Sequence, residues 1–184
     1  MTDNTTETRE QLASAARTQA GRAVVNVIQQ TGGPLARDGD APAGGLAAAL
    51  PLEKARTVVE GTDVTVLCYG PMVRTCAEAA MAARSEGRSV EVLDLRSLSP
   101  LDTETIFASV RRTGRCVVVH EAPVTGGLGA EIAARVTEEC FYHLQSPVLR
   151  VGGFSTPYPP SRLEEHYLPD LDRVLDAVDR TFTY

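Results

Sequence analysis

Apolar positions along the 184-residue chain change their rhythm near residue 60. Before that point, Leu12, Ala16, Ala20, Val24, Val27 and Ile28 recur three or four apart, which predicts one helical face between about Thr8 and Gln30. The β-branched cluster Val24, Val25, Val27, Ile28 also allows a short strand there. Gly32-Gly33-Pro34 should end the helix, and Leu35 to Ala49, rich in Gly, Ala, Pro and Asp without periodicity, reads as a flexible linker. The organisation expected is a helical extension over 1–31, a linker over 32–49 and a regular domain over 50–184.

After Gly61 short apolar runs alternate with amphipathic stretches. Val64 to Tyr69 is nearly continuous in apolar residues, as in a strand buried on both faces. A helix should follow from Met72 to about Glu86, with Val73, Cys76, Ala77, Ala80 and Ala83 inward and Gly87 past its end. Val90 to Leu95, Arg115 to His120 and Pro147 to Val151 read as further strands. Asp102 should cap a helix through Ile106, Phe107 and Val110. Helices are expected from Gly127 to Cys140 and from Pro169 to Thr181, the latter with Leu171, Val174, Leu175 and Val178 on one side. Strands alternating with helices imply β-α-β crossovers, hence an α/β fold with three layers around a mainly parallel sheet. Function in such sheets sits in loops after the strands, here starting at Tyr69, Asp94, His120 and Val151.

Composition narrows the classes. Hydrophobic residues are 43% and charged ones 23%, ordinary for a globular domain. No apolar run is long enough for a membrane span, and no secretory leader is recognisable, so a cytoplasmic location is expected. The net charge of -6 without a basic stripe argues against nucleic acid. Cys68, Cys76, Cys116 and Cys140 contain no C-x-x-C pair, so reduced thiols are expected rather than zinc or a disulfide framework. Cys68 and Cys116 should be buried in strands. His143 and His166 have no metal-ligating neighbour at the right spacing and read as solvated.

His120-Glu121, at the end of the third apolar strand, are the candidate acid–base pair. The competing reading holds the imidazole in the fold, with Glu121 in a local cap or pair. Gly126-Gly127-Leu128-Gly129 opens a helix without the spacing of a dinucleotide fingerprint, so close backbone packing with Thr125 as N-cap is expected.

Four segments carry a resemblance when taken together and in order. They are Leu50 to Arg56, Asp94 to Asp102, His120 to Glu131, and Arg150 to Pro159 followed by Tyr167-Leu-Pro169. The chain from Leu50 to Tyr184 resembles the C-terminal, transketolase C-terminal-like domain of the beta subunit of thiamine-diphosphate-dependent 2-oxo acid dehydrogenases. His-Glu-Ala-Pro, Thr-Gly-Gly and Cys140-Phe141 look most like the branched-chain member, whereas Ser155 departs from the Asp usual before Thr-Pro. The resemblance implies that thiamine diphosphate and magnesium are held by a dehydrogenase alpha subunit and by a pyrimidine-binding half of the beta subunit. It also implies docking of an acyltransferase core. Asn4 and Asn26, the sole asparagines, both precede Gly39-Asp40, so the family's metal motif cannot be assembled. Residues 1–49 are too few for the pyrimidine-binding half. The expectation is therefore a non-catalytic assembly and docking domain that binds no cofactor alone. Its rivals are a free-standing scaffold or regulatory protein and an independent enzyme using His120 and Glu121.

An interface is expected in the C-terminal third, with the chain a homo-oligomer. The loop Gly152 to Pro160 combines prolines with Phe154 and Tyr158, which lower the entropy lost on docking and supply area. Beside it lie Glu164, Glu165, Asp170 and Asp172, matched by the resemblance to a basic binding domain of the acyltransferase core, and the terminal aromatic Tyr184. The alternatives are a solvated acidic face, a tail folded over the sheet and a loop merely shaped by its prolines.

Overall fold

The computed structural model describes Pro51 and residues 53–184. The helix expected over Thr8–Gln30 and the linker over 32–49 lie outside the described residues. Five strands form one sheet: β1 Arg56–Val59, β2 Val64–Cys68, β3 Val90–Asp94, β4 Cys116–Pro123 and β5 Leu149–Gly153. The main helices are α1 Met72–Ser85, α2 Thr103–Thr113, α3 Leu128–Cys140 and α5 Leu171–Arg180, with a single-turn α4 at Glu164–Tyr167.

The sheet order is β1-β3-β2-β4-β5, with every pair parallel except β1 against β3. The α/β fold with three layers and a mainly parallel sheet is thus as expected. Alternation along the strands divides the core in two. Val64, Val66 and Cys68 face α1 and α5, while Leu67, Leu93 and Val118 face α2 and α3. Strand β2 and residues 116–120 of β4 are fully buried, which is why their sequences are nearly continuous apolar runs.

Three differences from expectation have physical causes. Strand β1 is an addition: its four residues are half-buried or exposed and begin with a charge, so no apolar rhythm marks them. Its partner β3 lies more than thirty residues ahead, a pairing invisible to local pattern. Strand β5 starts at Leu149 rather than Pro147, because proline has no N–H to give a ladder. Thr125 is not the N-cap of α3. That position is Gly127, without a side-chain cap, and the Thr125 hydroxyl instead accepts from Ser155 Oγ at 2.9 Å. Asp102 does cap α2, accepting from Thr105 N at 3.3 Å, and Gly114 ends it in the left-handed region at φ 72°.

The chain runs from β2 outward to β3, then crosses back over β2 to β4. That reversal opens a crevice between the carboxyl ends of β2 and β4, where α/β sheets place their ligands. Tyr69 and His120 stand on its two sides, and their rings stack with centroids 6.2 Å apart and planes 21° from parallel.

Candidate functional site

His120 ends the fully buried run of β4, and its side chain turns beneath the first turn of α3. Nδ1 lies 2.9 Å from the Ala122 carbonyl oxygen. A carbonyl only accepts, so Nδ1 carries the proton and Nε2 presents a lone pair. That Nε2 is buried and has no hydrogen-bond partner among the described residues. Three glycines explain how the ring fits. A Cβ on Gly129 would stand 2.2 Å from Nε2, one on Gly127 2.9 Å from Cε1, and one on Gly152 3.0 Å from Cε1. Burial lowers the imidazole pKa, against the opposing Ala122 bond, and the Arg150 charge lowers it further. The ring is therefore neutral, in one tautomer, and closed to solvent.

Glu121 follows on the same strand and is half-buried. Burial raises the Tyr69 hydroxyl pKa, and the Glu121 charge adds to it. His120 is committed to Ala122, not to Glu121, so these two neighbours in sequence do not form a proton-transfer couple in this arrangement.

The residues expected at an interface fall into two groups. Phe154 and Tyr158 are exposed, yet both rings pack edge-on against buried Tyr167, at 6.3 and 5.0 Å. The Arg173 guanidinium lies 4.7 Å over Phe154. Tyr158 donates to Glu164, whose carboxylate pushes the phenol pKa up to about 12. Asp170 is exposed but caps α5, accepting from Arg173 N at 2.8 Å. Glu165 is exposed, as are His143 and His166. Tyr184 lies apart from that cluster and lines a groove beside α3. Sequence reasoning passed over Tyr142, and it used Phe141 only for the resemblance, because no periodicity marks residues that follow α3 in a three-residue 3-10 turn.

All four cysteines are buried free thiols, with burial driving the Cys116 pKa far up. Nothing poises them as nucleophiles. Among the described residues no group of three or more His, Cys, Asp and Glu side chains is arranged to hold a metal, and the one crevice imidazole is sealed. These residues do not fit a site for thiamine diphosphate with its magnesium, and no catalytic step is derived through that cofactor. No described helix is long and apolar enough to cross a membrane.

The four segments singled out in the sequence meet in pairs. Residues 51–56 join residues 94–102: Ala55 N donates to Asp102 Oδ2 at 3.0 Å and Arg56 pairs with Asp94 at 3.2 Å. Residues 120–129 join residues 150–159 through the glycine box, the Ser155–Thr125 bond, and Arg150 Nη1 donating to Val124 O at 3.1 Å.

The model of the family described as Transketolase, C-terminal domain matches residues 53–174. The pyruvate dehydrogenase E1 component subunit beta of Leifsonia xyli subsp. xyli is 52% identical over 135 residues, 73% of this chain and 40% of the relative. The 3-methyl-2-oxobutanoate dehydrogenase subunit beta of Mycobacterium tuberculosis is 55% identical over 131 residues, 71% of this chain and 38% of the relative. The chain thus spans about two-fifths of the length of these curated relatives. A solved structure titled "Split gene transketolase, inactive beta4 tetramer" superposes with a TM-score of 0.61 at 32% identity, over 73% of this chain and 44% of that one.

Proposed function

The chain belongs to the transketolase C-terminal domain family, and on that premise we propose that it is a non-catalytic assembly and docking domain of the decarboxylating component of a branched-chain 2-oxo acid dehydrogenase. In this reading the chemistry is completed by an alpha subunit that holds thiamine diphosphate and magnesium, together with a pyrimidine-binding half of the beta subunit. The acyltransferase core then docks on the assembled component. One observation carries the reading: the crevice where this fold would do chemistry contains an imidazole that is boxed by glycines and bonded to its own backbone. The names of the relatives, both beta subunits, support the setting. The split-gene neighbour, titled inactive and tetrameric, supports inactivity alone and self-association.

Titration calorimetry of the full chain with thiamine diphosphate and magnesium is expected to show no micromolar binding. Adding the alpha subunit and the pyrimidine-binding half is expected to restore turnover, with 3-methyl-2-oxobutanoate preferred over pyruvate. Micromolar cofactor binding by the chain alone overturns the reading.

A further inference from the structure

We propose that residues 156–162 are a docking ligand, displayed for a partner whose groove reads polyproline II backbone. Such a groove carries aromatic rings for two X-Pro units and a carboxylate beyond them. The sequence Thr-Pro-Tyr-Pro-Pro dictates the backbone: every residue from Thr156 to Pro160 is a proline or precedes one. Proline fixes φ, and the residue before it is steered out of the helical region. Residues 157–160 accordingly enter no helix or strand, and Pro160 has φ -57° and ψ 153°, polyproline II values. That helix repeats every three residues, about 9 Å along its axis, which sets Pro157 and Pro160 on one ridge and Tyr158 on another. Both prolines and Thr156 are exposed. Tyr158 ties the segment down, with its ring 5.0 Å from that of Tyr167 and its hydroxyl donating to Glu164. The anchored residue is thus the spacer between the two X-Pro units, which leaves both units facing outward.

The approach to the segment is held as well. Ser155 Oγ donates to Thr125 Oγ1 at 2.9 Å, and the Arg173 guanidinium covers the Phe154 ring. A ligand fixed before it docks loses little further entropy. Its polar groups are left for the partner. Among the described residues no backbone N–H reaches the carbonyls of Pro157, Tyr158 or Pro159, and the prolines bring no donor of their own. Charge then selects the occupant. Arg162 lies two residues past Pro160, in the 3-10 turn Ser161–Leu163. It is exposed and makes no ion pair among the described residues. A guanidinium at one end of the ridge calls for a carboxylate at the matching end of the groove, and fixes the direction in which the segment lies.

Tryptophan fluorescence tests the ligand. The chain has no tryptophan, so emission from the groove of an SH3 domain selective for Pro-x-x-Pro-x-Arg ligands reports its docking directly. Titration of that probe with the full chain is expected to give a saturable change. Pro160→Ala and Arg162→Glu should each weaken binding by about tenfold or more, while Ser161→Ala stays within about threefold of wild type. Circular dichroism confirms that each variant is folded. A synthetic peptide spanning residues 154–164 should bind more weakly than the chain, because it must be ordered first. No saturable change with the wild type overturns the proposal, as does binding indifferent to both Pro160→Ala and Arg162→Glu. A peptide that binds more tightly than the chain overturns it too, since the domain would then be occluding the segment. If Pro160→Ala and Arg162→Glu instead shift the sedimentation of the chain alone, the loop serves a second copy and the proposal falls.

Discussion

Two corners of the domain join segments far apart in sequence, and they are closed by different physics. Where residues 51–56 meet residues 94–102 the joint is polar. Asp102 accepts from Ala55 N, Thr105 N, Thr105 Oγ1 and Lys54 Nζ, and the Arg96 guanidinium holds the carbonyls of Pro51 and Lys54. Arg96 tolerates a φ of 55° there. Where residues 120–129 meet residues 150–159 the joint is steric: three glycines close on one imidazole. A polar joint spreads its stability over several bonds, each modest and replaceable by water. A packed joint has no such slack, so one methyl group is enough to spoil it. The difference also shows why a histidine at the mouth of an α/β crevice need not be a catalyst.

Breaking the packed corner should have the largest effect. Gly129→Ala gains some helix propensity, less than the about 1 kcal/mol of a helix interior because the residue is the second of α3. Its Cβ would nevertheless stand 2.2 Å from a ring that Ala122, Gly127 and Gly152 hold in place. A net loss of about 2–4 kcal/mol is expected by chemical denaturation, in the range of overpacked cores. Gly126→Ala is the control for space: no atom lies within 4 Å of its Cβ position, and only its φ of 76° is at stake. Combining Gly129→Ala with His120→Ala should recover a good part of the loss, since the methyl then enters the space left by the ring. Absence of that coupling would show that the box does not hold the corner.

Acid should separate the corners by pH window. His120 has a lowered pKa in the folded state, so below its ordinary value of 6.5 the unfolded chain binds the extra proton. Stability from this corner is present above about pH 6.5 and lost as pH falls through the lower folded value. Burial of Asp102 works against its charge, but bonds from Thr105, Ala55 and Lys54 outweigh it and hold the carboxyl below 3.8. Its contribution persists above that value and disappears only at lower pH. Melting curves from pH 7 to 3 should therefore fall in two stages. The His120→Ala, Gly129→Ala protein should lose the upper stage and Asp102→Asn the lower. Retention of both stages in both variants would refute the assignment.

The sequence made the sheet legible where burial is complete and obscure where it is partial. Val64–Cys68 and Cys116–His120 stand out because both faces are covered. Arg56–Val59 escaped because an edge strand half in solvent carries no such run. Close backbone packing at Gly127 and Gly129 followed from their place before a helix. That Gly152 completes the box did not, because it depends on β5 lying beside β4, about thirty residues later. Composition marked Phe154 and Tyr158 as exposed aromatics, which they are, but their edge-on packing on the buried Tyr167 depends on the path of the chain beyond the loop. Tyr142, the most exposed large aromatic, carried no signal at all.

The smallest effect belongs to the ion pair of the polar corner, and it sharpens the comparison most cleanly. Arg56 Nη2 lies 3.2 Å from Asp94 Oδ2, with about a third of the arginine side chain and 13% of the aspartate exposed. Partial exposure leaves water and salt to screen the attraction, so such pairs contribute about 0–1 kcal/mol. A second feature pulls the value down: Arg56 Nε is buried without a hydrogen-bond partner among the described residues. Leaving that N–H unsatisfied offsets part of what the pair contributes. Replacing both residues, by Arg56→Met with Asp94→Leu, removes the charges and the orphaned donor together, and β1 and β3 keep their ladder. A double-mutant cycle in urea should give a coupling of about 0.5 kcal/mol in low salt and less in 1 M sodium chloride. The same salt should leave the loss from Gly129→Ala unchanged, because the overlap of its Cβ with the His120 ring is steric rather than electrostatic. A coupling near 2 kcal/mol that survives high salt would mean that the polar corner, like the packed one, depends on a single contact.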